Sequence, residues 1–300
     1  MSYTSRVKNE IIKRNSFTTK EKMAEIKGIL ESKGMTTFNG NLEIKLENIE
    51  LANRIYRILK EVTELKLNVK YSISKNFGEH KVYIILIEKQ KGFKDFLSSL
   101  NDYKEGNILD DEEKIKGFIR GVFLATGYIK NPEKEYAMDF FIDSEELADN
   151  LYEIFFNLNK KVFKTKKRNK YLVYLRNSED IMDILVMTGS IQEFYKYEET
   201  TMMKDLKNKT IREMNWEVAN ETKTLNTGLK QIKQINYIGK KIGINNLTPV
   251  LEEVAFLRLQ YPESSLQELA EMIGISKSGT RNRFRRIEET YYKLLEEDNQ

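Results

Sequence analysis

The pattern of apolar and polar residues divides the first part of the chain into helices and strands. The segments LEIKL (42–46) and KVYIILI (81–87) are short apolar runs rich in β-branched residues, which is typical of strands. Between them, apolar residues recur at helical spacing from Ile49 to Val62, and an earlier helix contains KGILESKG (27–34). This mixture predicts an α+β fold.

The same pattern occurs a second time. After RGVFLATG (120–127) come MDFFI (138–142) and a helix from Glu145 to Leu158. The glycines of the two corresponding helices are 93 residues apart, and the strand and helix that follow are offset by 96. The sequence therefore predicts one unit in two copies, over about 20–100 and 113–195, related by a pseudo-twofold axis.

Two further changes in pattern indicate domain boundaries. Residues 101–113 are polar and rich in turn formers, so they are expected to join the two copies. From Lys204 to Ile238 the pattern is helical and polar, and a compact helical segment follows. We therefore expect a duplicated domain over 1–198, a linker helix region over 199–246, and an all-helical domain over 247–300.

The composition excludes several kinds of site. The 300 residues include no cysteine and one histidine, His80, which excludes disulfides, thiolate nucleophiles and ordinary His/Cys metal clusters. No apolar run approaches the roughly 20 residues of a membrane-spanning helix, so we expect a cytoplasmic protein without membrane contact. The net charge of +4 is small, so an argument for nucleic-acid binding must depend on where the charge lies. No cofactor is expected.

The glycines in the two corresponding helices need a physical explanation. A glycine inside a helix costs about 1 kcal/mol relative to alanine, and close packing of the two helices would offset that cost. We expect Gly28 and Gly121 to let the two backbones approach each other. We expect Gly34 and Gly127 to end their helices in the left-handed conformation.

This duplicated unit resembles the LAGLIDADG homing endonuclease fold over about residues 20–195. In active members of that family, an acidic residue precedes the last glycine of each helix, and the two carboxylates hold divalent metal. The corresponding residues here are Lys33 and Thr126, which cannot replace carboxylates as ligands of a hard cation. The resemblance therefore implies the fold without cleavage. A metal-dependent homing endonuclease or RNA maturase is the alternative, and a magnesium-dependent nicking assay distinguishes the two.

A basic segment lies in the second copy. From Lys160 to Arg176 there are eight basic residues and no acidic one, interleaved with aromatic residues that favour strands. Such a hairpin could lie along a DNA backbone and add salt-dependent, sequence-independent affinity; a solvated hairpin tip is the alternative. The candidate backbone contacts are Lys164, Lys166, Lys167, Arg168 and Lys170.

The last fifty or so residues have the pattern of a helix-turn-helix. Thr248 and Pro249 are expected to begin the first helix as N-cap and first helical residue. The spacing of Ser265 and Glu268 predicts a capping box at the start of the second helix. A glycine turn then leads to a third helix, which Ser276 is expected to cap.

The third helix has two different faces. One is an apolar stripe that is expected to face the core, formed by Thr280, Phe284, Ile287, Tyr291 and Leu294. The other carries side chains that donate hydrogen bonds to phosphates or to base edges, concentrated where a recognition helix enters the major groove. The candidate DNA contacts are Lys277, Ser278, Arg281, Asn282, Arg285 and Arg286. A three-helix protein-docking module is the alternative.

Nearly the whole chain resembles the WhiA family of bacterial transcription regulators. The stretches that carry the resemblance are IRGVFLATGYIKNPEKEY (119–136), IREMNWEVANETKT (211–224) and SLQELAEMIGISKSGTRNRFRRI (265–287). The resemblance implies a role in cell division, chromosome segregation or sporulation, with DNA binding carried mainly by the helix-turn-helix.

The second of these stretches contains the polar signature that the family has between its domains. Here the signature is Arg212, Asn215, Asn220 and Lys223. These residues are equally compatible with the ordinary surface of a linker helix and with contacts to DNA or between domains. The sequence therefore gives them no definite role.

Together these features predict a non-enzymatic, sequence-specific transcriptional regulator that binds double-stranded DNA and associates with the nucleoid. A second alternative is a protein-docking scaffold, whose N-terminal domain recruits transcription or cell-division proteins.

Overall fold

The computed structural model describes residues 2–33, 36–38, 40–74, 80–105 and 111–298. These residues form two compact units, a first unit up to Asp205 and a second unit from Leu206. The first unit is mixed helix and sheet, and the second is helical.

The first copy of the duplicated unit follows an N-terminal helix. Its strands form one antiparallel sheet with the order β1-β2-β4-β3, and the helices cover one face of it. The N-terminal helix is α1 (Tyr3–Lys13), and the elements of the first copy are α2 (Thr19–Lys33), β1 (Thr36–Phe38), β2 (Asn41–Leu46), α3 (Ile49–Val62), β3 (Leu67–Ser74), β4 (His80–Ile87) and α4 (Phe93–Glu105).

The second copy repeats this arrangement. Its antiparallel sheet has the order β5-β6-β8-β7, which is the order of the first sheet strand for strand. Its elements are α5 (Glu112–Thr126), β5 (Gly127–Ile129), β6 (Met138–Ile142), α6 (Glu145–Asn157), β7 (Val162–Lys167), β8 (Lys170–Leu175) and α7 (Ser178–Thr188). The predicted duplication with pseudo-twofold symmetry is confirmed.

The two copies meet where α2 packs against α5, and glycines make this approach possible. A Cβ atom added to Gly28 would lie 2.5 Å from the Phe118 carbonyl oxygen. One added to Gly121 would lie 2.2 Å from the Glu25 carbonyl oxygen. Because no real Cβ comes so close to a backbone oxygen, larger residues would force the helices apart. The predicted role of these two glycines is confirmed.

The expected left-handed cap at Gly127 is wrong. Its backbone is extended, with φ −70° and ψ 145°, and the residue starts β5. A Cβ at Gly127 would lie 2.2 Å from Cδ2 of Phe123, so glycine provides space here and not a positive φ. The other predicted cap, Gly34, lies outside the described residues.

The second unit is built around the end of a long helix, α8 (Ile191–Lys241). A short 3₁₀ turn (Ile244–Asn246) follows, and then come α9 (Pro249–Gln260), α10 (Leu266–Met272) and α11 (Lys277–Asp298). Ile235 and Ile238 of α8 are fully buried in the same core as the apolar side chains of the other three helices. The last turns of α8 are thus an integral fourth helix of the second unit.

Candidate nucleic-acid interface

The start of α10 and the turn after it are defined by local hydrogen bonds. The backbone N–H of Glu268 donates to Ser265 Oγ at 3.2 Å, and the Ser265 N–H donates to Glu268 Oε2 at 2.7 Å. The predicted capping box is therefore confirmed. Gly274, with φ +65°, then takes the left-handed conformation that glycine adopts without steric cost.

The starts of α9 and α11 differ in how they are capped. At α11, the Gly279 N–H donates to Ser276 Oγ at 3.1 Å, which confirms Ser276 as the capping residue. At α9, Thr248 stands at the N-cap and Pro249 at the first helical position, but the Thr248 side chain forms no capping hydrogen bond. The predicted start of this helix, with Thr248 as N-cap and Pro249 as first helical residue, is therefore confirmed.

The inner face of α11 matches the predicted apolar stripe. Thr280, Phe284 and Ile287 are buried, and Tyr291 and Leu294 pack partly against the same core. The Thr280 hydroxyl donates to the Ser276 carbonyl at 3.4 Å within the helix. A threonine is therefore tolerated in this core because its polar group has a local partner.

The outer face of α11 is exposed and basic. The candidate DNA-contact residues Lys277, Ser278, Arg281, Asn282, Arg285 and Arg286 are all exposed. Arg285 lies 3.6 Å from the Glu289 carboxylate, and both side chains are mostly in solvent. Within the described part of the chain, the side chains of Arg281, Asn282 and Arg286 form no ion pair or hydrogen bond. Their donors are available to a partner.

Arg258 of α9 fixes this helix against its neighbours, and nothing in the sequence pattern indicated that role. The side chain is 1% exposed, and Nε donates to Gln231 Oε1 of α8 at 2.9 Å. Nη1 donates to the Ser264 carbonyl at 2.5 Å, in the connection between α9 and α10. The guanidinium also lies over the Phe284 ring of α11, 5.4 Å from its centroid. This one buried cation therefore contacts α8, the connection between α9 and α10, and α11, and burial lowers the pKa of Arg258.

The structure brings part of the linker signature next to the outer face of α11. Asn220 and Lys223 line an open groove of about 1280 Å³ in the second unit, together with Lys277, Arg281 and Arg285. Arg212 and Asn215 are exposed two to three turns earlier on α8. The sequence pattern did not predict that the signature lies beside the third helix, because the two segments are more than fifty residues apart.

The basic hairpin of β7 and β8 is less uniform than its sequence. Strand alternation places Lys164 and Lys166 on one face and Lys167 on the other. Lys164 is paired with Asp149, Lys166 donates to the Tyr171 hydroxyl at 3.1 Å, and Lys170 lies 3.2 Å from Asp143. Arg168 occupies the tip with φ 57°. Contact between these five residues and a DNA backbone stays a prediction.

The two degenerate nuclease positions end the central helices. Lys33 is exposed at the end of α2, and the Thr126 hydroxyl at the end of α5 donates to the Val122 carbonyl at 3.0 Å. A second lysine, Lys8 of α1, lies near these helix ends, with its ammonium 5.6 Å from the centroid of the Phe123 ring. Burial, together with the charge of Lys33, lowers the pKa of Lys8 to about 8. Among the described residues, no group of three or more His, Asp or Glu side chains is placed to hold a metal ion.

None of the helices that the structure describes combines the length and apolar character of a transmembrane span.

The fold and the exposed helix define a protein with a duplicated LAGLIDADG-like domain and a C-terminal helix-turn-helix domain. Three family models match in order: the WhiA N-terminal LAGLIDADG-like domain (19–101), the WhiA LAGLIDADG-like domain (115–207) and the WhiA C-terminal HTH domain (211–291). The chain belongs to the WhiA family.

Individual relatives match along their whole length. A protein of Clostridium tetani named "Probable cell division protein WhiA" is 34% identical, over 100% of both chains. One of the same name from Clostridium botulinum is 35% identical, over 96% of this chain and 97% of the relative. The crystal structure of full-length DUF199/WhiA from Thermatoga maritima is similar in fold, with a TM-score of 0.62 and 20% identity over 98% of this chain and 99% of that one.

Proposed function

We propose that this protein is a non-enzymatic regulator of transcription that acts in cell division by sequence-specific binding to double-stranded DNA. The observation that carries the proposal is the outer face of α11, where Arg281, Asn282 and Arg286 present donors without a protein partner. The names of the relatives support the link to cell division. A role in chromosome segregation or sporulation and association with the nucleoid are further parts of the proposal.

In this proposal α11 is the recognition helix. Arginine donates to two acceptors of guanine in the major groove, and asparagine pairs with the N6 and N7 edge of adenine. Arg281 and Asn282 lie in the N-terminal half of α11, the part of a recognition helix that reaches base edges. The flanking polar and basic residues are assigned to contacts with phosphates, and these contacts fix the register of the helix on the duplex. They are Lys277, Ser278, Arg285 and Arg286.

Replacing Arg281 or Asn282 by alanine is expected to reduce discrimination between target and random DNA. Each bidentate base contact contributes about 1–3 kcal/mol of discrimination, so the ratio of the two affinities should fall by about fivefold to more than a hundredfold. Competition binding with a duplex selected from a random library measures this ratio at one salt concentration.

Arg283→Ala is the matched control for this experiment. Arg283 is on the same helix, but its Nη1 bonds Glu253 Oε2 of α9 at 2.9 Å and its side chain is mostly covered. Its loss should leave discrimination unchanged. If Arg281→Ala and Asn282→Ala both discriminate as well as the control, α11 is not the recognition helix.

Absence of cleavage is the second part of the proposal. Two ammonium groups and a hydroxyl lie near the ends of α2 and α5, and this is unfavourable for a divalent cation. The ammonium groups are those of Lys33 and Lys8, and the hydroxyl is that of Thr126. We expect supercoiled plasmid carrying the selected target to stay intact with magnesium and full-length protein. Nicking that a chelator abolishes would overturn this part and leave the DNA-binding proposal standing.

A further inference from the structure

The groove beside α11 has a strongly positive lining within the second unit. Six basic residues and one acidic residue line it, and the acidic one is Glu288. The Glu288 carboxylate is already bonded, at 2.6 Å by Lys230 Nζ and at 3.1 Å by the Gln234 amide. The groove therefore has an excess of positive charge with no carboxylate of its own left to neutralise it.

One face of α8 continues this positive lining along the helix axis. Four residues of this face lie on the same side of the helix, because they are spaced by three, four and four residues. They are Arg212, Asn215, Ala219 and Lys223. Ala219 and Lys223 line the groove. At 1.5 Å per residue, Arg212 is about 16 Å along the helix from Lys223. The groove is thus the end of a longer polar ridge.

The groove end of this ridge is held rigidly to the helix-turn-helix. A Cβ at Gly228 would lie 2.5 Å from the Pro262 carbonyl oxygen, so α8 touches the connection between α9 and α10. Gln231 accepts from Arg258, and Ile235 is fully buried. Lys223 stands less than two turns before Gly228, and its position relative to α11 is therefore set before any partner binds.

We propose that this ridge of α8 binds the phosphate backbone of double-stranded DNA beside the major groove that α11 enters. The inference rests on the proposed DNA-binding function and assigns the linker signature to it. Lys223, which has no ion pair within the described residues, neutralises a phosphate. Asn215 on the ridge and Asn220 in the adjoining groove donate amide hydrogens to phosphate oxygens, and Arg212 extends the contact by about 16 Å. The ridge adds affinity and orientation but no sequence preference.

The test is the salt dependence of binding by full-length Lys223→Gln. Affinity for the library-selected duplex and for a scrambled duplex of equal composition is measured from 50 to 200 mM salt. Loss of one phosphate contact should make the slope of log K against log salt less negative by about 0.9, on both duplexes alike. The ratio of the two affinities should not change, in contrast to Arg281→Ala.

Lys207→Gln is the matched control. Lys207 is an exposed lysine of the same helix and the same unit, and at 100° per residue its side chain is rotated by about 160° from that of Lys223. For Lys207→Gln, the slope of log K against log salt should equal that of the wild type. If Lys223→Gln behaves like Lys207→Gln while the wild type binds DNA, the ridge is not an interface. If the wild type binds neither duplex, the proposed function itself fails.

Discussion

Replacing Glu25 by alanine is expected to destabilise the first unit by about 3–5 kcal/mol, because it leaves two buried arginines without their shared carboxylate. Glu25 is 0% exposed, and its oxygens accept from Arg54 Nε at 2.6 Å and Nη2 at 2.8 Å. Arg120 Nη1 approaches the same carboxylate at 3.4 Å. Since Glu25 is on α2, Arg54 on α3 and Arg120 on α5, one side chain links helices of both copies.

Thermal or urea unfolding of full-length protein, followed in the transition of the first unit, measures this loss. Glu61→Ala is the control, because Glu61 pairs with Lys22 at 2.5 Å but is 55% exposed. An exposed pair contributes about 0–1 kcal/mol, so the control should unfold close to the wild type. Glu25→Gln, which keeps the shape and loses the charge, should lie between the two. Equal stability of Glu25→Ala and the control would show that the carboxylate is not needed.

Sequence reasoning succeeded where a local rule decides the structure. The repeated glycine spacing predicted the contact between α2 and α5, because glycine inside a helix has a cost that only close packing offsets. The capping box at Ser265 was also predictable, because both partners lie within four residues. Gly127 shows the limit: the same residue can provide space or a positive φ, and only the path of the following strand decides which.

Sequence reasoning failed where the partner lies far along the chain. The ion pair of Lys164 was not predictable from the sequence, because its partner Asp149 lies on α6, 15 residues earlier. Glu25 and Arg258 are typical surface residues by type, and only the packing of several helices buries them. The outer face of α11 needed no such knowledge, because a helix with one apolar stripe necessarily exposes the opposite side.

Replacing Arg258 by alanine is expected to destabilise the second unit by about 3 kcal/mol and to remove DNA binding at temperatures where the wild type still binds. The loss leaves Gln231 Oε1 and the Ser264 carbonyl without their donor, and a buried acceptor without a partner costs about 1–3 kcal/mol. It also removes the guanidinium that packs on Phe284 beneath the outer face of α11.

Differential scanning calorimetry and DNA binding, measured on the same preparation across temperature, test this prediction. Arg283→Ala again serves as the control, because its ion-pair partner Glu253 is 52% exposed and such a pair contributes only about 0–1 kcal/mol. The decisive comparison is with Arg281→Ala, which should lose discrimination and keep the stability of the second unit. Arg258→Ala should lose its affinity for target DNA and its affinity for random DNA together, at its lowered unfolding temperature. If Arg258→Ala instead lost only discrimination while staying folded, Arg258 would act through the DNA contact itself, and its role in fixing α11 would be wrong.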